Sequence, residues 1–345
     1  VTDRRYSFQP RLLAILGRAV SPFTAGIRRG AEFAPYRAVA LLIALVYVSA
    51  SLLHAETSEP APLAAKSLLL DVARAGDRLV AVGDRGHILL SDDEGVTWRQ
   101  VAVPTRAMLT GVSFGDAAHG WAVGHDGVIL ATADSGATWT RQDPGNDLET
   151  VWLDVFFSDP LHGLAVGAYA KCLLTMDGGK TWQPAGTVPD EVHLNQIAPT
   201  ATDTVYLSGE AGTLLVSDDA RKPWRKLNVP YDGSLFGLLP LGDRTLLVYG
   251  LRGHVFLSDD AGQTWAPREI SVPVLLMAGV RMKSGVIVLA GLGGNFHVSR
   301  DAGATFALWQ PETYNGGVSA LLEARDGALI VVGEKGAARL QLPLK

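Results

Sequence analysis

The chain has 345 residues, of which 48% are hydrophobic and 19% charged, so its composition is that of a globular protein rather than a disordered one. The net charge of −5 is uneven: residues 1–37 hold seven Arg and two acidic residues, which leaves −10 on the remainder. An acidic body argues against a nucleic-acid partner, because phosphate binding needs a basic surface. With one cysteine, Cys172, the chain forms no internal disulfide and no thiolate metal site.

The N-terminal residues predict export. Residues 1–37 form a basic segment, either cytoplasmic or part of a leader, and residues 38–55 are apolar with no Asp, Glu, Lys or Arg. This length lies between a short membrane span and a long signal-peptide core, so both a cleaved signal peptide and a retained anchor are open. In either case the Arg-rich side stays in the cytoplasm. We expect the rest to be periplasmic, soluble or tethered to the inner membrane through residues 38–55.

A repeated unit follows a Pro/Ala-rich linker at residues 56–66 and fills residues 67–345. Its first copy contains the stretch VGDRGHILLSDDEGVTW at residues 82–98, and its seventh copy begins at Val332. The spacings between the anchoring glycines are 41, 43, 42, 41, 41 and 42 residues, and these glycines are Gly83, Gly124, Gly167, Gly209, Gly250, Gly291 and Gly333. A period of this length is typical of propeller blades.

Each repeat reads as four short strands bounded by Gly or Asp turns. In the second repeat the pattern predicts strands at 109–114, 120–123, 128–132 and 138–142. Seven such units predict an all-β fold, a seven-bladed propeller of four-stranded antiparallel blades, preceded by one N-terminal hydrophobic helix. The last repeat has room for three strands only, so the linker is expected to supply a ring-closing strand from within residues 60–66.

The turn before an outermost strand follows the pattern Ser/Thr-x-Asp-x-Gly-x-Thr-Trp, with Phe306 in place of Trp in the sixth copy. The fourth copy keeps Asp219 and Trp224 but has Arg221 for Gly and Pro223 for Thr. The Asp is expected to hold its own turn, Gly to take a positive φ, and Trp to pack between neighbouring sheets. A carboxylate committed to its turn is not free for acid–base chemistry. The residues assigned to this structural role are Asp93, Asp134, Asp177, Asp219, Asp260, Asp301, Trp98, Trp139, Trp182, Trp224 and Trp265.

This motif is the Asp-box, or BNR repeat. Seven glycine-anchored repeats with Asp-boxes, preceded by an export segment, resemble the Ycf48/Hcf136 family of photosystem II stability and assembly factors. The resemblance covers residues 67–345 and implies a seven-bladed propeller that helps to assemble or stabilise a membrane protein complex. Cyanobacterial members are typically lipoproteins, and this chain has no lipobox Cys, so its anchoring differs.

In a propeller, the loops between second and third strands and the loops between blades lie on one face. Arg and aromatic side chains there are typical of protein-binding hot spots. The candidate binding residues are Arg85, Arg106, His125, Trp152, Tyr169, His193, Tyr231, Phe236, Arg252, Tyr314 and Asn315.

No catalytic, cofactor or metal motif accompanies the repeats: there is no nucleophile elbow, Walker loop or zincin motif. The favoured hypothesis is therefore a non-enzymatic exported propeller that binds a membrane protein or complex subunit. An Asp-box glycoside hydrolase or a carbohydrate-binding propeller is the alternative. Hydrolysis would need two free carboxylates on the loop face, for which the candidates are Asp126, Glu149, Glu191, Asp232 and Glu334.

Overall fold

Seven antiparallel sheets make up the described part of the chain, residues 57–145 and 148–343 of a computed structural model. Six sheets have four strands and the last has three. The strands of each sheet pair in chain order, and the first strands of neighbouring sheets contact one another all the way round, including the first and last sheets. The prediction of a seven-bladed propeller is therefore confirmed. Residues 1–37 and 38–55, including the predicted N-terminal helix, lie outside the described residues.

Each sheet is one blade, and the blades are numbered 1 to 7 in chain order. Their strands fall into four concentric layers. The innermost strands are β1 (Leu69–Ala75), β5 (Leu109–Phe114), β9 (Trp152–Phe157), β13 (Leu194–Pro199), β17 (Leu235–Pro240), β21 (Leu276–Arg281) and β25 (Val318–Glu323). The second strands are β2 (Arg78–Gly83), β6 (Gly120–Gly124), β10 (Gly163–Gly167), β14 (Val205–Gly209), β18 (Leu246–Gly250), β22 (Ile287–Gly291) and β26 (Leu329–Gly333).

The two outer layers are shorter. The third strands are β3 (Ile88–Ser91), β7 (Ile129–Thr132), β11 (Cys172–Thr175), β15 (Leu214–Ser217), β19 (Val255–Ser258), β23 (Phe296–Ser299) and β27 (Gly336–Leu340). The outermost strands are β4 (Arg99–Val101), β8 (Thr140–Gln142), β12 (Gln183–Pro184), β16 (Arg225–Lys226), β20 (Ala266–Arg268) and β24 (Ala307–Trp309). Three-residue 3₁₀ turns occur at Ala64–Lys66, Asp84–Gly86, Leu251–Gly253 and Leu292–Gly294.

No helix in this described part of the chain has the length and hydropathy to span a bilayer.

The core lies between the blades. Seven clusters of buried apolar side chains form, one at each interface between neighbouring blades. The second strands are buried on both faces because each blade has a neighbour on either side; β22, for example, is buried along its whole length. Cys172 lies in one of these clusters, where burial raises the pKa of its thiol to about 12.

The predicted ring-closing strand was wrong. Of the linker residues that the structure describes, 57–66, none forms a strand, and Ala64–Lys66 form a 3₁₀ turn instead. Pro60 and Pro62 lack the N–H groups that a strand needs. The linker runs beside the outermost strand of blade 1, where the Gln100 side chain bonds its backbone, and Ala64 is buried in the cluster between blades 7 and 1.

Candidate binding face

The Asp-boxes close the turns at one end of the propeller. In the second box, Asp134 accepts the amide of Thr138 at 2.8 Å through one oxygen and the Thr138 hydroxyl at 2.6 Å through the other. Thr132 also donates to Asp134, and Trp139 donates its indole N–H to the Gly136 carbonyl at 2.9 Å. The Trp139 ring is buried between blades 1 and 2. Each oxygen of this carboxylate is thus occupied within its own turn.

Five of the six boxes share an unusual backbone. Two consecutive residues have positive φ, at the Gly position and at the residue before it, as in Ser135 (58°) and Gly136 (81°). The fourth box has Arg221 at the Gly position, and neither Arg221 nor Ala220 has a positive φ. Its Asp219 accepts from the Arg221 backbone and guanidinium instead, which lowers the pKa of Asp219 to about 2. A different turn here removes the need for glycine.

The opposite end carries the loop face, defined as the loops between second and third strands and the loops between blades. In six blades the residue at the tip of the first kind of loop lies in the left-handed region, where non-glycine residues are uncommon. These tip residues are Arg85, Asp126, Tyr169, Ala211, Arg252 and Gly293. The repeat therefore places these tip residues at equivalent positions around this face, and five of the six carry a side chain.

Tyr169 and His193 meet on the loop face between blades 3 and 4. Tyr169 is 72% exposed, and its ring contacts that of His193 edge-on with 5.0 Å between centroids. Glu210 lies 3.6 Å from Nδ1 of His193 and accepts the His193 amide. This group combines an exposed Tyr ring, a residue type that is enriched in binding hot spots, with an imidazole and a carboxylate.

A second aromatic group lies between blades 4 and 5. Tyr231 packs on His254 with 4.2 Å between ring centroids and donates its hydroxyl to the Leu251 carbonyl. Phe236 is half-buried and does not belong to the loop face. It lines the central cavity, which is the space enclosed by the innermost strands.

The remaining predicted residues are spread over the face. Arg85 has a side chain that is 81% exposed, and Arg252 is exposed on blade 5. Arg106 pairs with Glu59 of the linker at 2.9 Å. His125 is half-buried, and Asn315 accepts a hydrogen bond from Lys335.

Trp152 and Tyr314 do not belong to the exposed surface, which corrects their selection. Trp152 is fully buried between blades 2 and 3, and Tyr314 is 4% exposed with its hydroxyl bonded to the Gly317 carbonyl. The sequence held a signal for the first: Trp152 opens an innermost strand, at the position that Leu109 and Leu194 occupy in neighbouring repeats.

The five acids named as candidates for hydrolysis lie in loops of this face. Asp126, Glu149, Glu191 and Asp232 come from different loops, and Glu334 accepts the Gly317 amide. Over residues 57–145 and 148–343, no three His, Cys, Asp or Glu side chains are arranged to hold a metal ion.

A family model described as photosynthesis system II assembly factor YCF48 matches residues 90–149 and 142–337. The chain belongs to this family.

Solved structures agree with the fold. The chain resembles YCF48 bound to a D1 peptide with a TM-score of 0.68 and 19% identity, over 84% of this chain and 97% of that one. It resembles YCF48 from Cyanidioschyzon merolae with a TM-score of 0.68 and 16% identity, over 82% and 97% of the two chains. The WD40 propeller domain of Doa1 has a TM-score of 0.62 and 13% identity, over 83% and 95%. At these identities the likeness shows the fold alone.

One curated relative matches over a short stretch. The chloroplastic photosystem II stability/assembly factor HCF136 of Cyanidioschyzon merolae is 45% identical over 47 residues. This match spans 13% of the chain and 11% of the relative's length.

Sequence reasoning missed the polar lining of the central cavity of this YCF48-family propeller. The third residue of the innermost strand is Asp71 in blade 1, Asp154 in blade 3 and Gln196 in blade 4, and all three line the cavity. A signal was available, since the triplet Leu-Asp-Val occurs in two innermost strands and places a carboxyl group among apolar residues.

Burial in the cavity raises the pKa of Asp71 to about 6 and that of Asp154 to about 8, the second also through the charge of Asp71. Raised pKa values occur at catalytic acids. Here, however, both oxygens of each carboxyl group accept backbone amides: Asp71 accepts Val72 and Val112, and Asp154 accepts Val155 and Ile197. The pair links blades 1 to 2 and 3 to 4, which is a structural role.

Proposed function

We propose that this chain is a non-enzymatic, exported assembly factor that binds an extended segment of a membrane-protein subunit on its loop face. The observation that carries the proposal is the family match through residues 90–337, which spans most of the propeller. A related YCF48 has been solved with a D1 peptide. A photosystem II-type subunit is therefore the first client, meaning the membrane protein that the propeller binds, to test.

The contact is proposed at the Tyr169–His193 group. Within residues 57–145 and 148–343, Tyr169 has the most exposed aromatic ring, and it lies at a loop tip with a backbone φ of 54°. Aromatic side chains bury a large area with little loss of conformational freedom, which suits them to the centre of a peptide-binding surface. A contact centred on one exposed ring is small, as the interfaces of weak, transient complexes are.

The first experiment is photo-crosslinking in native membranes, with a photoreactive residue at position 169 and a matched one at position 161. Leu161 is a suitable control because it is 51% exposed and lies between β9 and β10, on the opposite face. Crosslinks from 169 alone to one membrane protein would establish the site and name the client. Equal crosslinking from both positions, or recovery of no membrane protein, would contradict the proposal. Glycan-array and hydrolase screens would then test the alternative of glycan binding or hydrolysis.

Export is part of the same proposal and needs its own test. The Arg-rich residues 1–37 and apolar residues 38–55 motivate it. A phosphatase reporter, active only outside the cytoplasm, is fused after residue 345. High activity is expected with the full chain, and low activity when residues 38–55 are deleted. Unchanged activity on deletion would overturn the assignment of these residues.

A further inference from the structure

The innermost strand of each blade is the edge of its sheet, so alternate amides point away from the second strand and towards the central cavity. Each strand has a β-bulge after its first residue, as in the shift between Leu109 and Gly111 in blade 2. In blade 2 the fourth residue, Val112, donates its amide to Asp71 of blade 1 at 2.8 Å rather than to its own sheet. Each blade thus has a fourth-position amide that needs an acceptor.

Three side chains supply acceptors to five of these amides. Asp71 takes those of blades 1 and 2, at 2.8 Å each. Asp154 takes those of blades 3 and 4, at 2.7 Å each, and Gln196 takes that of blade 5 at 2.7 Å. Asp71 and Asp154 therefore each bridge the amides of two consecutive blades.

Blades 6 and 7 have no such acceptor. Their fourth-position amides belong to Gly279 and Leu321, which have the same register as Val112. No described side chain accepts from either, because the third positions on this side of the ring are Ala278 and Ala320. Both amides border the central cavity, whose volume is about 170 Å³.

A buried hydroxyl borders the same cavity. Tyr249 is fully buried, and burial raises the pKa of its hydroxyl while the neighbouring Gln196 side chain lowers it. Gln196 lies outside normal hydrogen-bond geometry, so no described residue is a full partner for this hydroxyl. Tyr249 occupies the space over Gly237, where a Cβ would lie 2.1 Å from the hydroxyl oxygen, and its ring lies close to Gly279. A buried polar group without a partner is costly, so one that persists calls for an explanation.

We infer that this wall of the cavity binds a carboxyl group from outside the propeller, whose oxygens accept the amides of Gly279 and Leu321 and the hydroxyl of Tyr249. The geometry is that of Asp71 and Asp154, transferred to the one pair of consecutive blades in which neither fourth-position amide has a side-chain acceptor among the described residues. A cavity of about 150 Å³ holds a molecule as large as benzene, so 170 Å³ admits a small carboxylic acid or the end of a Glu side chain. This site goes beyond the proposed assembly function and does not depend on it.

The cavity's own charges set the pH dependence. Its titratable lining groups are Asp71, Asp154 and Tyr249, with no Lys, Arg or His. Both carboxyl groups have raised pKa values, about 6 and about 8, so they lose their negative charge as the pH falls. A bound carboxylate is then repelled less, and binding should be tighter at a pH near 5.5 than at a pH near 9.

The test follows the amide resonances of the full chain during titration with propionate. Saturable shifts are expected at Gly279 and Leu321 and not at Val112 or Leu238, whose acceptors are internal. Tyr249→Phe should weaken binding about tenfold, the effect of one hydrogen bond to a charged group. Ala278→Asp supplies the missing carboxyl group, so its two amides should already be shifted and should not respond to propionate.

A short acetylated peptide with one Glu provides the second arm. Tighter binding of the peptide than of propionate would assign the site to a partner's side chain, and the reverse would assign it to a free acid. If neither ligand shifts the two amides saturably, water alone fills the cavity and the inference fails. If Ala278→Asp does not fold, the wild type and Tyr249→Phe still decide it, because an unchanged affinity in Tyr249→Phe removes the hydroxyl from the site.

Discussion

Blade 1 meets blade 2 on one side and blade 7 on the other, and the two interfaces are built differently. Towards blade 2 the chain continues from β4 into β5, and Asp71 of blade 1 accepts the amide of Val112. Towards blade 7 the partners are distant in sequence: Arg325 and Glu94, which bond across this interface, are 231 residues apart. We call the interface between blades 7 and 1 the seam.

The seam adds a charge network to its apolar cluster. Glu94, at the turn of the first Asp-box, accepts both guanidinium nitrogens of Arg74, at 2.7 and 2.9 Å. It also accepts the Arg325 amide at 3.0 Å, while Arg339 donates to its carbonyl at 3.1 Å. Bidentate pairs of this kind fix geometry as well as adding energy. A ring whose first and last blades share no sheet therefore relies on side chains to align its last interface.

The largest expected loss of stability concerns two neighbouring residues of β3 whose side chains face different blade interfaces. Leu89 lies in the seam cluster and Leu90 in the cluster with blade 2, and both are 1% exposed. Changing either to Ala should cost about 3 kcal/mol, because a cavity is left in a packed core. Hydrogen exchange should distinguish the two variants. Leu89→Ala should speed exchange selectively in blades 1 and 7, because no inter-blade loop joins these two blades. Leu90→Ala should not, because a loop joins blade 1 to blade 2. Identical exchange patterns would show that the seam is no weaker than other interfaces.

Glu94→Gln should have the next largest effect, about 2 kcal/mol in the free energy of unfolding, because it leaves partly buried guanidinium groups without a charged partner. The hydrogen bonds from Arg74 chiefly lower the pKa of Glu94, to about 2 from 4.5. A lowered folded-state pKa stabilises above about pH 4.5, and that contribution is lost as the pH falls towards 2. Denaturant unfolding at pH 7 and near pH 2.5 checks this: the gap between wild type and variant should shrink at the lower pH. A gap of constant size would contradict the role of the charge.

The smallest effect concerns the Asp-boxes. Asp134→Ala removes bonds to Thr132 and Thr138 and should lower stability by about 1 kcal/mol, since the turn is exposed. Asp219→Ala in the irregular fourth box is the matched control, and its loss should be smaller because its partner is the exposed Arg221. Thermal unfolding measures both. Client binding should survive both changes; a fully stable Asp134→Ala that no longer bound its client would contradict the structural role.

The linker is expected to support the seam without adding a strand. Deleting residues 57–66 should still lower the melting temperature, although no strand is lost. The reasons are that Ala64 is buried in the seam cluster and that Ser58 exchanges two hydrogen bonds with Val103. Replacing Ala64 alone by Asp should reproduce most of the loss. An unchanged melting temperature in both variants would show that the linker does not support the seam.

Much of the fold was predictable because its determinants are local. The strand Leu109–Phe114 was predicted with the observed bounds, since apolar runs and turn residues alternate within a few positions. The box turn at Asp134 follows likewise from residues next to one another. The exposure of Tyr169 was expected on the same grounds, whereas Trp152 was misplaced because an aromatic residue near a loop was taken for a surface residue.

By itself, the sequence determined seven repeats, their strands and their box turns, since each depends on residues close together in the chain. Only the tertiary structure decided which polar groups meet across the blades. Glu94 meets Arg325, and Asp71 meets Val112, because blade 1 packs against blade 7 on one side and blade 2 on the other. The two amides without acceptors, Gly279 and Leu321, belong to the same class. They can be identified only in the closed ring, because whether an amide has an acceptor depends on every side chain that borders the cavity.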